Sequence, residues 1–375
     1  MRVYVDGDVF RWQGIGGISR VFIEILPRIA RKDNDVNLTV AIQGEVRPEV
    51  RKILHPWYDQ IPSVPVYWRP WRFWNIVRPV IDRFLWYWYW RSRDCDVFLS
   101  TYYTLPPIKA PSVCVVHDMI LELFHGSFDK VFVTEMIERQ RRAIAAADRL
   151  ICVSDRTKQD VIHIHRVAEN ICRVVNNAAG TLKNVVGEKQ ASKMLLYVGD
   201  FISKYKNVDF LARCLGSREF SEFREYNLMI VSSRRPDSAD RSRLSELMPG
   251  ERLTFVTACS DDDLAHMYLT CSAFIYPSLY EGFGIPILEA LSYGTPVVSS
   301  TGGALAEVGG DAVYYFDPKS KEGFREALSK ALSAGRKPSL VAARKEHARR
   351  FSWDKAAEMY VSVLREVSGR GQREG

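Results

Sequence analysis

Ten short runs of apolar, largely β-branched residues recur along this chain, and no other feature restricts its possible folds as much. The first half contains RVYVDG (2–7), NLTVAIQ (37–43), DVFLS (96–100), SVCVVHD (112–118) and RLICVS (149–154). The second half contains MLLYVGD (194–200), NLMIVSS (227–233), RLTFVT (252–257), AFIYPS (273–278) and TPVVSS (295–300). Each run has the length of a strand buried on both faces. Between them lie helical stretches: Ile18–Ala30, with Val21, Phe22, Ile25, Leu26 and Ile29 on one face, then 130–147, 206–215 and 261–270. Such alternation predicts parallel sheets covered by helices on both faces, a doubly wound α/β architecture.

A chain of 375 residues exceeds what a single hydrophobic core usually serves. The alternation also pauses at TLKNVVGEKQAS (181–192), a polar stretch with the character of a linker. The predicted division is 1–184, 192–350, and a terminal segment 351–375. That last segment holds a helix over 354–367 that returns to the first domain, followed by a frayed polar tail. Two doubly wound domains facing each other place a ligand cleft at the carboxyl ends of both sheets.

With 47% hydrophobic and 26% charged residues, the composition excludes the disordered and fibrous classes. The first residues, MRVYVDGDVF, are too short an apolar run for a signal peptide, and FLWYWYW (84–90), the longest apolar run, is far short of a membrane span. Seven cysteines are scattered singly without C-x-x-C spacing, so neither a disulfide framework nor a zinc site is expected, and a cytoplasmic location is. Of the net charge of +7, residues 51–93 supply +6, from eight Lys/Arg against two Asp. A single basic patch follows, not a general nucleic-acid surface. In CSDDDLAHMY, the Ser260/Asp263 spacing reads as a capping box, so the three aspartates open a helix instead of holding a metal.

The stretch SLYEGFGIPILEALSYGTPVV (278–298) is different, because a plain structural loop has no use for two carboxylates around a glycine turn. Pro286 suits the first helical position and Gly294 the residue past the helix end, which puts Glu289 in the first turn or so and Glu281 in the loop before it. Gly282 and Gly284 allow close backbone approach, and the free N–H groups at the helix start favour an anion. Carboxylates beside an anion site repel the anion unless they grip other parts of the same ligand. A molecule with phosphate at its middle and hydroxyls at both ends, a nucleotide sugar, meets that demand.

PSLYEGFGIPILEALSYGTPVVSS resembles the E-x7-E signature of the family 4 retaining glycosyltransferases, which have the GT-B fold of two facing Rossmann-like domains. YVGDFISKYKNVD and GIGGISR extend the similarity over most of the chain, most weakly at 45–95. The resemblance implies transfer of a hexose (mannose, glucose or rhamnose) from a nucleotide-diphosphate sugar to a glycan or lipid-linked acceptor. It also implies retention at the anomeric carbon, no metal ion and no cofactor. The first domain would bind the acceptor and the second the donor. Glu289 would hold the ribose and Glu281 the donor sugar, while the amides of Phe283, Gly284 and Ile285 would hold the diphosphate. Lys204 and Lys206 are the candidates for the basic pair that faces the diphosphate, although Asp200 replaces a residue that is basic in many relatives and the loop is about one residue longer. Gly16 and Gly17 would approach the diphosphate from the facing domain, with Arg20 as a further phosphate partner. His117 and Asp118 resemble the pair beside the reacting sugar, so the implied catalytic group is His117, Asp118, Glu281 and Lys206. Asn177-Ala178 replaces the usual Asn-Gly, which alters the turn before the linker.

Residues 56–93 interleave Trp, Tyr and Arg and carry seven of the nine tryptophans. Such a mixture suits an anionic membrane surface, an aromatic core helix with an Arg-rich face, or a protein partner. Arg69, Trp71 and Arg72 are its most prominent members, and peripheral attachment to the inner face of the cell membrane is the corresponding expectation. A dinucleotide-dependent oxidoreductase is a rival reading of the first domain, but G-x-G-x-x-G is missing. A non-catalytic glycan-binding or membrane scaffold is another, disfavoured by the presence of both glutamates and the lysines.

Overall fold

The computed structural model describes residues 1–12, 16–44, 46–61, 74–91, 93–106, 110–180, 192–257 and 259–371. The linker 181–191 and the trio Arg69, Trp71 and Arg72 lie outside them. The first half runs β1 (Arg2–Asp6), α1 (Asp8–Trp12), α2 (Gly17–Lys32), β2 (Asn37–Gln43), α3 (Pro48–Leu54), β3 (Tyr58–Ile61) and α4 (Trp74–Arg91). It continues with β4 (Val97–Ser100), β5 (Ser112–Val116), α5 (Ile120–Leu123), α6 (Lys130–Ala146), β6 (Arg149–Cys152), α7 (Asp155–His165) and β7 (Cys172–Val174). The second half runs β8 (Ser192–Val198), α8 (Val208–Gly216), β9 (Asn227–Val231), α9 (Ser238–Leu247), β10 (Leu253–Val256), α10 (Asp261–Thr270) and β11 (Cys271–Tyr276). It ends with α11 (Ile285–Ser292), β12 (Val297–Ser300), α12 (Leu305–Gly309), β13 (Tyr314–Phe316), α13 (Lys321–Ala334), α14 (Pro338–Arg349) and α15 (Trp353–Gly371).

Two wholly parallel sheets result, with strand orders β3-β2-β1-β4-β5-β6-β7 and β10-β9-β8-β11-β12-β13. In each, the order reverses beside its first strand, between β1 and β4 and between β8 and β11. These are the switch points at which a doubly wound sheet opens a crevice.

All ten expected strands form. The sequence pattern missed β3, β7 and β13, which have three or four residues each and too few to show periodicity. The capping box forms as expected: Ser260 Oγ accepts from the Asp263 amide at 3.1 Å, and Asp263 accepts from the Ser260 amide at 3.2 Å. Three expectations are corrected. The helix expected over 206–215 is a 3-10 turn, Lys204–Lys206, followed by α8, with left-handed Asn207 (φ 58°) between them. The Asn207 amide holds that conformation by donating to Pro277 O (3.1 Å) and Pro318 O (3.0 Å). Pro286 is the second helical residue, so Glu289 falls in the second turn of α11. The last helix continues to Gly371 through part of the expected tail.

α15 packs on α2 and the first sheet, burying Trp353, Ala357, Tyr360 and Leu364 among Phe22, Ile25 and Ile29. The Trp353 indole donates to Ala179 O at 2.7 Å, and Glu366 binds Arg149 (2.7 Å) and Arg173 (3.2 Å). After the second sheet is complete, α15 thus returns to the first. No helix of the described residues is long and apolar enough to cross a membrane.

Candidate active site in the interdomain cleft

The loop after β11 is held from several sides. Leu279 N donates to Tyr205 O at 2.6 Å, and Ala304 N donates to Glu281 O at 2.9 Å. Gly303 (φ 68°) lies so close to Glu281 that a Cβ there would be 2.2 Å from its carbonyl oxygen. These contacts fix Glu281, which is 7% exposed, facing Lys206, and its Oε1 accepts from Lys206 Nζ at 2.8 Å. The ammonium also lies over the rings of Tyr205 (5.2 Å) and Tyr276 (5.6 Å). Burial works against the charge on Lys206, but the Glu281 carboxylate and the surrounding phenols outweigh it and raise its pKa well above the ordinary lysine value.

Of the two expected lysines, the structure brings only Lys206 into this arrangement; Lys204, at the start of the 3-10 turn, is exposed. Asp200 does not confront the site. Its carboxylate accepts from the amides of Ile202 (3.2 Å) and Ser203 (3.0 Å) and from the Ser203 hydroxyl, shaping the turn that delivers Lys206.

Glu289, 9% exposed, is gripped from both domains: Oε1 accepts from Arg20 at 3.2 Å and Oε2 from the Tyr268 hydroxyl at 3.1 Å. Burial raises its pKa more than Arg20 and Tyr268 lower it. The other arm of Arg20 pairs with Asp261, so one guanidinium from α2 crosses to two carboxylates of the second domain. Gly16 caps α2 and its amide donates to the Ser19 hydroxyl at 2.7 Å, while Gly17 has open space where a Cβ would stand. Gly284, at φ 108°, caps α11 without a side-chain cap bond, and the first amides of a helix have no partner within it. The Phe283 ring is buried against Phe351, Val153 and Leu288.

At the end of β5, His117 is 6% exposed and its Nε2 donates to Thr101 O at 3.0 Å, which fixes the tautomer. Burial lowers its pKa to about 4, so the ring is neutral near pH 7. Asp118 accepts from Ile120 N at 2.9 Å, and burial, aided by Glu281 and Glu122, raises its pKa to about 6. Gly282 packs on this pair. Its carbonyl accepts from Ser154 Oγ (2.7 Å) and Thr157 Oγ1 (3.0 Å), and a Cβ there would be 1.9 Å from His117 O. Nearby, Tyr280 donates to Asp160 at 2.6 Å and Glu307 accepts from Asp155 N (2.9 Å) and Arg156 N (3.1 Å) at the start of α7. His117, Asp118, Glu281, Lys206, Glu289 and Arg20 therefore line one interdomain seam. Among the described residues no three His, Cys, Asp or Glu side chains gather as a metal site.

The sequence pattern missed Tyr268, Asp261, Tyr276 and the Ser154–Thr157 pair. In the sequence Tyr268 and Asp261 read only as part of a helix and its first turn. Ser154 alone carried a signal, as a serine that begins a helix right after a strand.

The GT-B fold is shared with sucrose-phosphate synthase from Thermosynechococcus elongatus, at a TM-score of 0.74 and 15% identity over 99% of this chain and 100% of that one. The serotype-specific mannosyltransferase WbdA of Escherichia coli is 27% identical over 284 residues, covering 69% of this chain and 34% of WbdA. The chain therefore spans about a third of the length of that relative. The O-antigen chain mannosyltransferase B of Escherichia coli is 24% identical over 293 residues, 74% of this chain and 76% of the relative. Residues 15–180 match the model of Glycosyltransferase Family 4 and residues 180–351 that of Glycosyl transferases group 1. Matched from Ile15 to Phe351 by these two models in succession, the chain belongs to the family 4 glycosyltransferases.

Proposed function

We propose that this protein transfers a hexose, with mannose favoured by the relatives' names, from a nucleoside-diphosphate sugar to a glycan or lipid-linked acceptor in cytoplasmic assembly of a surface polysaccharide such as lipopolysaccharide. The observation that carries the reading is the division of charge along the seam. Two buried carboxylates, Glu281 and Glu289, stand beside two cations, Lys206 and Arg20, at the amino end of α11. Cations and peptide N–H groups suit a diphosphate, and carboxylates suit the hydroxyls at its two ends.

In this reading Glu289 binds the ribose, Glu281 the donor sugar, and Lys206, Arg20 and the amides of Phe283, Gly284 and Ile285 the diphosphate. Gly16 and Gly17 let the facing backbone approach, and exposed Lys204 adds a third cation. Charge develops on the departing phosphate, and these groups stabilise it without a metal ion or cofactor. The acceptor attacks on the face the phosphate leaves, the phosphate takes the acceptor's proton, and the anomeric configuration is retained. His117, neutral near pH 7, and the Asp118 carboxylate line the reacting sugar and orient it. The first domain receives the acceptor.

A thermal-shift panel of GDP, UDP, dTDP and NAD tests this. One nucleoside diphosphate at about 100 times its dissociation constant should add about 2.7 kcal/mol of stability, with no response to NAD. No response to any of the three diphosphates overturns the reading.

A further inference from the structure

The face of α4 turned away from the protein carries Val80 (66% exposed), Phe84 (59%), Tyr87 and Trp88 (62%), with exposed Arg83 and Arg91 among them. Their spacing, i, i+4, i+7 and i+8, puts the four apolar side chains on one helical stripe. The opposite side of the helix is anchored: Tyr89 and Trp90 are buried against Ala41, Ile61 and Phe98, and Trp90 meets Trp86, Tyr4 and Phe98 edge to face. The stripe is therefore carried by a helix whose other side is packed into the domain, and leaving two large aromatic rings in water is unfavourable by the apolar area they expose.

We infer that this stripe of α4 is a docking surface for an anionic lipid bilayer. Charge complementarity selects that occupant. Residues 51–93 carry +6 of the chain's +7, and two arginines stand at the level of the rings, where they meet headgroup phosphates as Phe84 and Trp88 enter the acyl boundary. Tyr87 and Trp88 keep a polar edge on an apolar body, which suits the water–hydrocarbon boundary. The arginine heads reach outward while their stems cover apolar surface; Arg91 also donates to the Tyr87 hydroxyl at 3.1 Å. The helix lies along the surface and does not span it. The inference deepens the transfer reading by naming where a lipid-linked acceptor is met. It rests on that reading only for the acceptor, not for the binding itself.

Co-sedimentation of the full chain with vesicles of neutral phosphatidylcholine, and of the same lipid with one-quarter phosphatidylglycerol, tests it. Wild type should sediment with the anionic vesicles about 10-fold more strongly than with the neutral ones, and 0.5 M salt should weaken the binding. Phe84→Ser/Trp88→Ser and, separately, Arg83→Glu/Arg91→Glu should each lower the anionic partition about 10-fold. Both variants should keep the wild-type circular dichroism and thermal shift with nucleoside diphosphate, so loss of lipid binding is distinct from loss of the transferase site. No sedimentation of wild type, or undiminished sedimentation of both variants, overturns the inference. So does light scattering that shows a wild-type dimer dissociated by Phe84→Ser/Trp88→Ser, since a second copy would then be the occupant.

Discussion

Lys206 and Glu281 are each nearly buried, at 13% and 10% side-chain exposure, so neither charge is tolerated without the other. Removing one partner of such a pair typically costs about 3–5 kcal/mol, because the remaining charge stays desolvated. Lys206→Met should therefore both destabilise the protein by about 3 kcal/mol and abolish transfer. Lys206→Met/Glu281→Gln should regain most of the stability, measured by denaturant unfolding, and none of the activity. His117 gives a pH signature. Its folded pKa of about 4 lies below the ordinary 6.5, so between those values the unfolded chain takes up a proton that the folded chain refuses. The stability contributed by neutral His117 is thus present above pH 6.5 and lost as pH falls toward 4. Asp118 runs the other way: its folded pKa of about 6 exceeds 3.8, so the folded state gains as pH falls between these values. His117→Gln, which can still donate to Thr101 O, should be more stable relative to wild type at pH 4.5 than at pH 7.5, by about 2 kcal/mol. An unchanged difference between the two pH values would mean that the histidine takes its proton in the folded state.

Among the elements, the turn into α11 carries the most constraint. Gly284 at φ 108° provides a left-handed cap, and Gly282 provides contact with the other domain. A side chain at position 282 has no room beside the His117 carbonyl. Gly282→Ala should separate the loop from Ser154 and Thr157, lower the melting temperature by several degrees, and reduce turnover, with X-ray scattering showing a looser pair of domains. The same substitution at Gly17, where a Cβ meets nothing, should leave stability within about 0.5 kcal/mol of wild type.

Over the whole molecule, the two sheets are tied by a few side chains that cross the cleft. Arg20 is the most exposed to competition, since a diphosphate in the cleft would draw the guanidinium from Glu289 and release that carboxylate for the ribose. A charge-assisted hydrogen bond contributes about 1.5–3 kcal/mol. Arg20→Met should accordingly weaken nucleoside diphosphate binding at least about 10-fold by calorimetry, while binding of the bare nucleoside is unchanged or improved. Equal weakening of both ligands would separate Arg20 from the phosphates. The return of α15 to the first sheet adds a second tie, through Trp353 to Ala179 and through Glu366 to Arg149 and Arg173.

The strands and helices of both sheets were legible in the chain because burial on two faces forces continuous apolar runs, and helices between them show a 3.6-residue period. The segment 278–298 was legible for a related reason: glycine, proline and carboxylate in one stretch have no common structural explanation. Which lysine reaches Glu281, that Asp261 shares Arg20 with Glu289, and that Tyr268 supports the latter were decided only by tertiary structure. So was the aromatic segment, whose Trp90 turns inward while Trp88, two residues earlier, faces water. Local sequence fixes how a backbone coils and where its apolar faces lie. Partners more than two hundred residues apart, such as Arg20 and Asp261, are set by how the two sheets meet, and no pattern within either sheet encodes that meeting.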